Sequence, residues 1–180
     1  MRARSLAVKL LGDVGSRWAH SRAVAGQATV AAKLLRGSWS SALVDAAWLH
    51  DVGYAPALVD TCFHPLDGAR FLRDEGWNTE VCSLVAWHTG AATEAELRGL
   101  LHLLADEFPT PPTDVAAALA WADLTSSPSG ARCSAEERVD EILCRYEADS
   151  IVHRAVTASR DSLLSTAKDT EVRLAYSQPM

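Results

Sequence analysis

The chain has 180 residues, of which 48% are apolar and 22% charged, and its formal net charge is −6. That is about one domain's length with enough apolar material for a core, which excludes disorder as the general state. The acidic balance argues against a general nucleic-acid binder, which needs a basic face, and no apolar run approaches the roughly 18–20 residues of a membrane helix.

The chain starts basic, with Arg2 and Arg4, but its apolar stretch is cut by Lys9 and ended by Asp13. This is a poor signal peptide, and a cytoplasmic protein with no membrane partner is expected. From Arg17 to Leu35, the residues His20, Val24, Gln27, Ala31 and Leu34 recur at helical steps, and Gly37 ends the pattern. The next helix is expected from about Ser41 to His50, with Leu43, Ala46, Ala47 and His50 on one face. Gly53 and Pro56 then open a loop. His64-Pro65 sets a proline at a first helical position, and that helix can run to Gly76. Asn78 is the expected cap of a helix holding Val81, Val85 and His88, ended near Gly90. Thr93 and Glu96 form a capping-box pattern before Leu97, Leu100, Leu101 and Leu104.

Pro109, Pro111 and Pro112 break the chain. Thr113 or Asp114 then starts a helix carrying Val115, Leu119 and Asp123. Residues 126–134 read as a flexible connection. Ser134 and Glu137 make a second capping box, followed by the stripe Val139, Ile142, Leu143 and Tyr146. A last helix is expected from about Asp149 to Ala167, with the final ten residues frayed. No alternating run supports a strand. The expectation is an all-α chain with a helical domain over residues 1–127 and a C-terminal helical extension, 128–180, packed on the same domain. Of the four cysteines, Cys62, Cys82, Cys133 and Cys144, no pair has the two-residue gap of a zinc or redox motif. Buried reduced thiols are expected.

The chemistry lies in the histidines. His20 is on the apolar face of its helix, His50 and Asp51 adjoin at a helix end before a glycine, and His88 ends another helix. Asp123 stands between Ala122 and Leu124 in an apolar helix, where a carboxylate is costly to bury unless something compensates it. A single histidine on an apolar face is usually a satisfied core residue. The order His, His-Asp, His, His, Asp is a different matter, because a divalent cation keeps a buried carboxylate ionised and takes neutral imidazoles beside it. Such a donor set suits iron, manganese or zinc. His102, inside Leu-Leu-His-Leu-Leu, reads as structural, and His153 lies outside the pattern.

Over roughly residues 15–127 the sequence resembles the HD-domain superfamily of metal-dependent phosphohydrolases. The residues that carry the resemblance are His20 in Arg-Trp-Ala-His-Ser-Arg, the doublet His50-Asp51 in Ala-Ala-Trp-Leu-His-Asp-Val-Gly, and Asp123 in Ala-Trp-Ala-Asp-Leu. His64 in Phe-His-Pro-Leu-Asp-Gly and His88 in Trp-His-Thr-Gly match members that hold two metals. The resemblance implies an HD-domain helical bundle with one metal on His20, His50, Asp51 and Asp123. It places a second on His64 and His88, with Asp51 bridging as the central catalytic residue. Two close cations need a bridging carboxylate to offset their repulsion, and they can share a water as hydroxide, a nucleophile at neutral pH. Arg17, one turn before His20, stands where many HD hydrolases contact phosphate.

HD proteins that cleave cyclic dinucleotides carry a lysine after the doublet's glycine. Tyr54 stands there instead, which points away from that substrate. The leading expectation is therefore hydrolysis of a small phosphorylated metabolite, a nucleotide first among them, through metal-activated hydroxide, with Arg17 orienting the substrate. Tyr54, Asp60 or solvent would serve as acid. The competing readings are an HD-type di-iron oxygenase using the same six ligands and a non-catalytic nucleotide-binding module. Neither nucleic-acid polymer nor membrane is an expected partner, and a homo-oligomer is left open.

Overall fold

The computed structural model describes residues 2–177. Over them the chain forms ten helices joined by turns, and the only extended pairing among the described residues is an isolated bridge between Ser126 and Arg132. The helices are α1 (Arg2–Leu11), α2 (Arg17–Ala31), α3 (Ser38–Leu49), α4 (His64–Asp74), α5 (Thr79–Ala86), α6 (Ala91–Arg98), α7 (Leu101–Glu107), α8 (Thr113–Leu124), α9 (Ala135–Arg145) and α10 (Ile151–Tyr176).

Helix α3 is central. It packs against α1, α2, α5 and α8, and it buries Ala42, Leu43, Ala46, Ala47 and Leu49. Three alanines among those five let the neighbouring axes come close. Helix α8 is covered from both sides, by α2 and α3 and by α10. It accordingly buries almost its whole length from Val115 to Leu124, and a helix apolar all round is an internal one. Helix α10 lays the stripe Ala155, Ser159, Leu163, Ala167 and Thr170 along α8 and α6.

Several local expectations need correction. The N-terminus, read as a poor signal peptide with no helix of its own, forms α1, whose Ala3, Ala7 and Leu11 are spaced four apart and all buried. The segment around Thr93 is two helices, not one. Gly90, in the left-handed region at φ 78°, starts α6, so Thr93 lies inside the helix and is not its cap. Gly99, at φ 71°, ends α6 with Leu100 N–H bonded to the Ala95 carbonyl at 2.8 Å, a turn that forces the break before α7. Residues 126–134 are not a loose connection. Ser127 N–H donates to the Ala131 carbonyl at 2.8 Å, and Gly130 sits so close to α2 that an added Cβ would lie 2.8 Å from the Ala19 carbonyl oxygen.

The last helix runs to Tyr176, so the expected fraying holds for none of the described residues before that point. Residues 178–180 of the expected frayed end lie outside the described residues. The four cysteines are all free, but only Cys82 is buried. Cys62 and Cys144 are exposed.

Where the sequence signals were strong, the elements follow them. Asn78 caps α5 by accepting from Val81 N–H at 2.9 Å, and Ser134 with Glu137 closes a reciprocal capping box on α9.

Candidate metal centre

The six expected donors come from five separate places and meet at one end of the bundle. His20 lies in α2 and Asp123 in the last turn of α8. His50 and Asp51 follow α3, His64 opens α4, and His88 stands just beyond α5. His20, His50, Asp51, His88 and Asp123 are buried and His64 is nearly so. Their donor atoms form two sets, each with all atoms within 4.8 Å of one another: His20, His50 and Asp123, and Asp51, His64 and His88.

The backbone fixes which imidazole nitrogen faces the centre. A carbonyl oxygen only accepts, so the nitrogen beside it carries the proton. His50 Nδ1 lies 2.9 Å from the Ala47 carbonyl, and His88 Nδ1 sits against the Val85 carbonyl at 2.6 Å. His20 Nδ1 is 3.3 Å from the Ser127 carbonyl, which is one purpose of the tight turn at 126–134. In His50 and His88 the Nε2 lone pair is thereby turned inward, while His20 Nε2 lies against the Asp123 carboxylate. Orienting partners of this kind are typical of metal-ligating histidines.

What lies inward has too few protons to go round. His50 Nε2 is buried with no hydrogen-bond partner. His64 Nε2 and His88 Nε2 face each other at 3.1 Å, and His20 Nε2 meets Asp123 Oδ1 at 3.0 Å. Asp51 turns one oxygen to each set: Oδ2 is 3.5 Å from His50 Nε2, and Oδ1 is 3.6 Å from His64 Nε2. Orphaned lone pairs converging on a buried carboxylate are costly unless a cation completes them. The donor set fits a divalent transition metal, and the same residues offer places for two.

Electrostatics point the same way. Burial alone would raise the Asp51 carboxyl, but the His50 imidazole and the Arg17 guanidinium outweigh it and hold Asp51 far below the usual carboxylate range. Burial likewise opposes ionisation of Asp123 most strongly, but the hydrogen bond to His20 together with the nearby His20, His50 and Arg138 holds it well below the usual carboxylate range. Burial pushes His50 down, and burial with the neighbouring His88 pushes His64 well below an ordinary histidine. His20 is the exception: burial opposes its charge, but the bond to Asp123 together with the Asp123 and Asp51 carboxylates raises it. At neutral pH Asp51 and Asp123 are therefore carboxylates and His50 and His64 uncharged, the state in which those four can ligate a metal.

Arg17, the expected phosphate contact, is also tied to the centre. It donates to Asp51 Oδ2 at 3.0 Å, and its guanidinium lies 3.7 Å over the Tyr54 ring, which in turn stacks on His64 at 4.0 Å. One arm of the arginine thus orients the shared carboxylate, and the rest of it lines the cavity. Tyr54 lines that cavity too, but Asp60 does not. The Asp60 side chain is 81% exposed and lies 3.7 Å from Arg70, so it is removed as an acid candidate. His102 is on an exposed face of α7, and His153 in α10 is not part of the cluster. Arg70 and Arg73 bind Glu107, and Arg22 faces solvent.

Two features escaped the sequence analysis. Asp67 is buried and accepts from Asp60 N–H, Thr61 N–H and the Thr61 hydroxyl, at 2.7 Å for the last, which ties down the loop that delivers His64. The outer cavity wall is built by α9 and α10, with Arg138, Ile142, Arg145 and Tyr146 among its residues. The spacing of Arg138, Ile142 and Arg145 puts them on one helical face, but nothing in the sequence says that this face looks at the histidines.

Comparison with protein-family models matches the HD domain over residues 17–127, more than half of the chain and all six donors. No curated protein and no solved structure matches.

Proposed function

The chain belongs to the HD-domain family, and from that premise and the geometry of the centre we propose that it is a metal-dependent phosphohydrolase acting on a small phosphorylated metabolite. The family is one of metal-dependent hydrolases in general. The observation that carries the finer reading is the two-sided placement of Asp51, with one oxygen toward His50 and the other toward His64. On this reading His20, His50, Asp51 and Asp123 hold one divalent cation, and His64 and His88 hold a second, with Asp51 shared. When bound, such cations supply a water of lowered pKa and neutralise charge on phosphoryl oxygens.

The chain's own residues do the rest. Backbone carbonyls of Ala47, Val85 and Ser127 fix the ring orientations of His50, His88 and His20. Arg17 holds the Asp51 carboxylate and presents its remaining N–H groups to the cavity, where a phosphoryl oxygen can accept them. Tyr54, raised because burial disfavours its phenolate, stays protonated and can donate to the substrate. Nucleotides belong in the first substrate screen because the family resemblance points to them.

The test is phosphate release from a panel of phosphomonoesters and nucleotides by the Mn²⁺- and Fe²⁺-loaded protein, run with and without oxygen. Anaerobic phosphate release that falls in Asp51→Asn is the expected result. Arg17→Ala should raise KM by a factor that reflects about 1.5–3 kcal/mol of lost charged hydrogen bonding. Substrate conversion that consumes oxygen and releases no phosphate overturns the proposal in favour of an oxygenase.

A further inference from the structure

We infer that α9 and the first turns of α10 form the substrate wall of this site: Arg138 and Arg145 take oxygens of a phosphoryl group, and Ile142, Val152 and Val156 take a short aliphatic stem. The inference rests on the phosphohydrolase reading and adds the class of substrate. All five residues lie beyond the matched stretch 17–127, on elements that the HD-domain match does not cover.

Arg138 carries the argument. Its side chain is only 7% exposed, it lines the cavity, and its Nε is buried with no hydrogen-bond partner. Its ion pair is with Glu141, one turn along α9. Glu141 is shared, because it also accepts from Arg145 Nε at 2.8 Å. The two guanidinium groups of this wall thus have a single carboxylate between them as ion-pair partner. Glu94 is held by Arg98 at 2.7 Å and Asp51 by Arg17, while Asp123, bonded to His20, also acts electrostatically on Arg138. A desolvated guanidinium is costly by itself, and one on the lining of a cavity is a strong site for a multi-oxygen anion.

Size and polarity narrow the ligand. The cavity holds about 90 Å³, far below the ~300–1,000 Å³ of sites that enclose drug-sized ligands. A phosphoryl group with a few carbons fits the inner part of such a space, and a larger group would extend through its open side. The side chains at the wall that are not charged are Ile142, Val152, Val156 and, beside Arg145, Tyr146. Three of the four are aliphatic, which favours a short alkyl group over a base.

The experiment is calorimetric titration of the intact, metal-loaded protein with inorganic phosphate, propyl phosphate and a nucleoside monophosphate. Arg138→Gln should weaken inorganic phosphate about tenfold or more, and Arg138→Lys should restore only part of it, because the planar fork is lost. Arg145→Gln, on a more exposed side chain, gives the same direction if the buried variant does not fold. Propyl phosphate should bind more tightly than inorganic phosphate, and Val156→Asn should remove that gain. Phosphate affinity unchanged within about twofold in both arginine variants overturns the inference, as does a wild type that binds no phosphate. A nucleoside monophosphate that binds more tightly than propyl phosphate overturns the assigned class. Arginine-dependent phosphate binding without hydrolysis of any phosphoester would leave the wall standing and defeat the hydrolase reading alone.

Discussion

Gly53, two residues after the His50-Asp51 doublet, is the position where a single methyl group should do most harm. Its backbone is outside the left-handed region, so alanine is conformationally permitted and only space is at issue. A Cβ there would stand 2.1 Å from the His64 carbonyl oxygen and 2.8 Å from Gly68 N. Both are backbone atoms of α4, so no side chain can swing aside. Restoring ordinary contact requires α4 and the 52–54 turn to part by about 1 Å or more. We expect overpacking of this kind to cost about 2–3 kcal/mol, or roughly 5–10 °C in melting temperature for a chain of this size.

The functional cost should be larger. The parted segments carry Asp51 on one side and His64 on the other, and metal sites tolerate only about 0.2 Å of ligand displacement. Gly53→Ala should therefore fold but lose metal from the Asp51, His64 and His88 set. Gly68→Ala is the control. Its Cβ would meet Gly53 N at 3.1 Å and Val52 Cγ2 at 3.4 Å, a much milder contact. The gain of about 0.5–1 kcal/mol from replacing glycine inside a helix offsets much of that strain. Calorimetric melting and metal analysis of both variants decide the matter. A Gly53→Ala protein that melts with the wild type and loads the same metal would refute the close-approach argument.

Elemental analysis after reconstitution should give close to two divalent metals per chain, and Asp51→Ala should lose more metal than His64→Ala, because it removes a donor from both sets. Metal should also raise the melting temperature, by a margin equivalent to about 2.7 kcal/mol at a hundred times its dissociation constant. The hydrogen bond from Arg70 holds the Glu107 carboxyl below its ordinary value. A depressed carboxyl contributes stability that is present above its unfolded pKa and is lost as pH falls through the folded one. Acid titration of stability in Glu107→Gln should accordingly show a shallower decline below the ordinary glutamate range, a difference of about 1 kcal/mol or less for a partly exposed cluster. Ser134→Ala removes half of the reciprocal cap on α9 and should lower stability by about 1 kcal/mol, read from chemical denaturation.

The sequence by itself determined the helical class, the caps at Asn78 and Ser134, and which four histidines and two aspartates to look for as candidate donors. Those signals are local: spacing along a helix, a side chain two or three residues from the N–H it accepts, and residue types that share one chemistry. It was also able to show α1, through Ala3, Ala7 and Leu11, but three small or apolar residues in a short segment compete poorly with a basic N-terminus that invites another explanation. The break at Gly99 and the tight turn at 126–134 were not readable. The first depends on a left-handed glycine stopping a run of good helix formers, and the second on how closely Gly130 approaches Ala19 across more than a hundred residues of chain. Only the tertiary structure decided what the donors do to one another: that Asp51 faces both sets, that Arg17 is tied to Asp51, and that Asp60 points away. Most of all it decided that Arg138, which in sequence is one more arginine on an amphipathic helix, lies buried against the centre. Burial and orientation are set by the packing of α9 and α10 on the rest of the bundle, and no periodicity within α9 specifies which wall of which cavity its polar face will become.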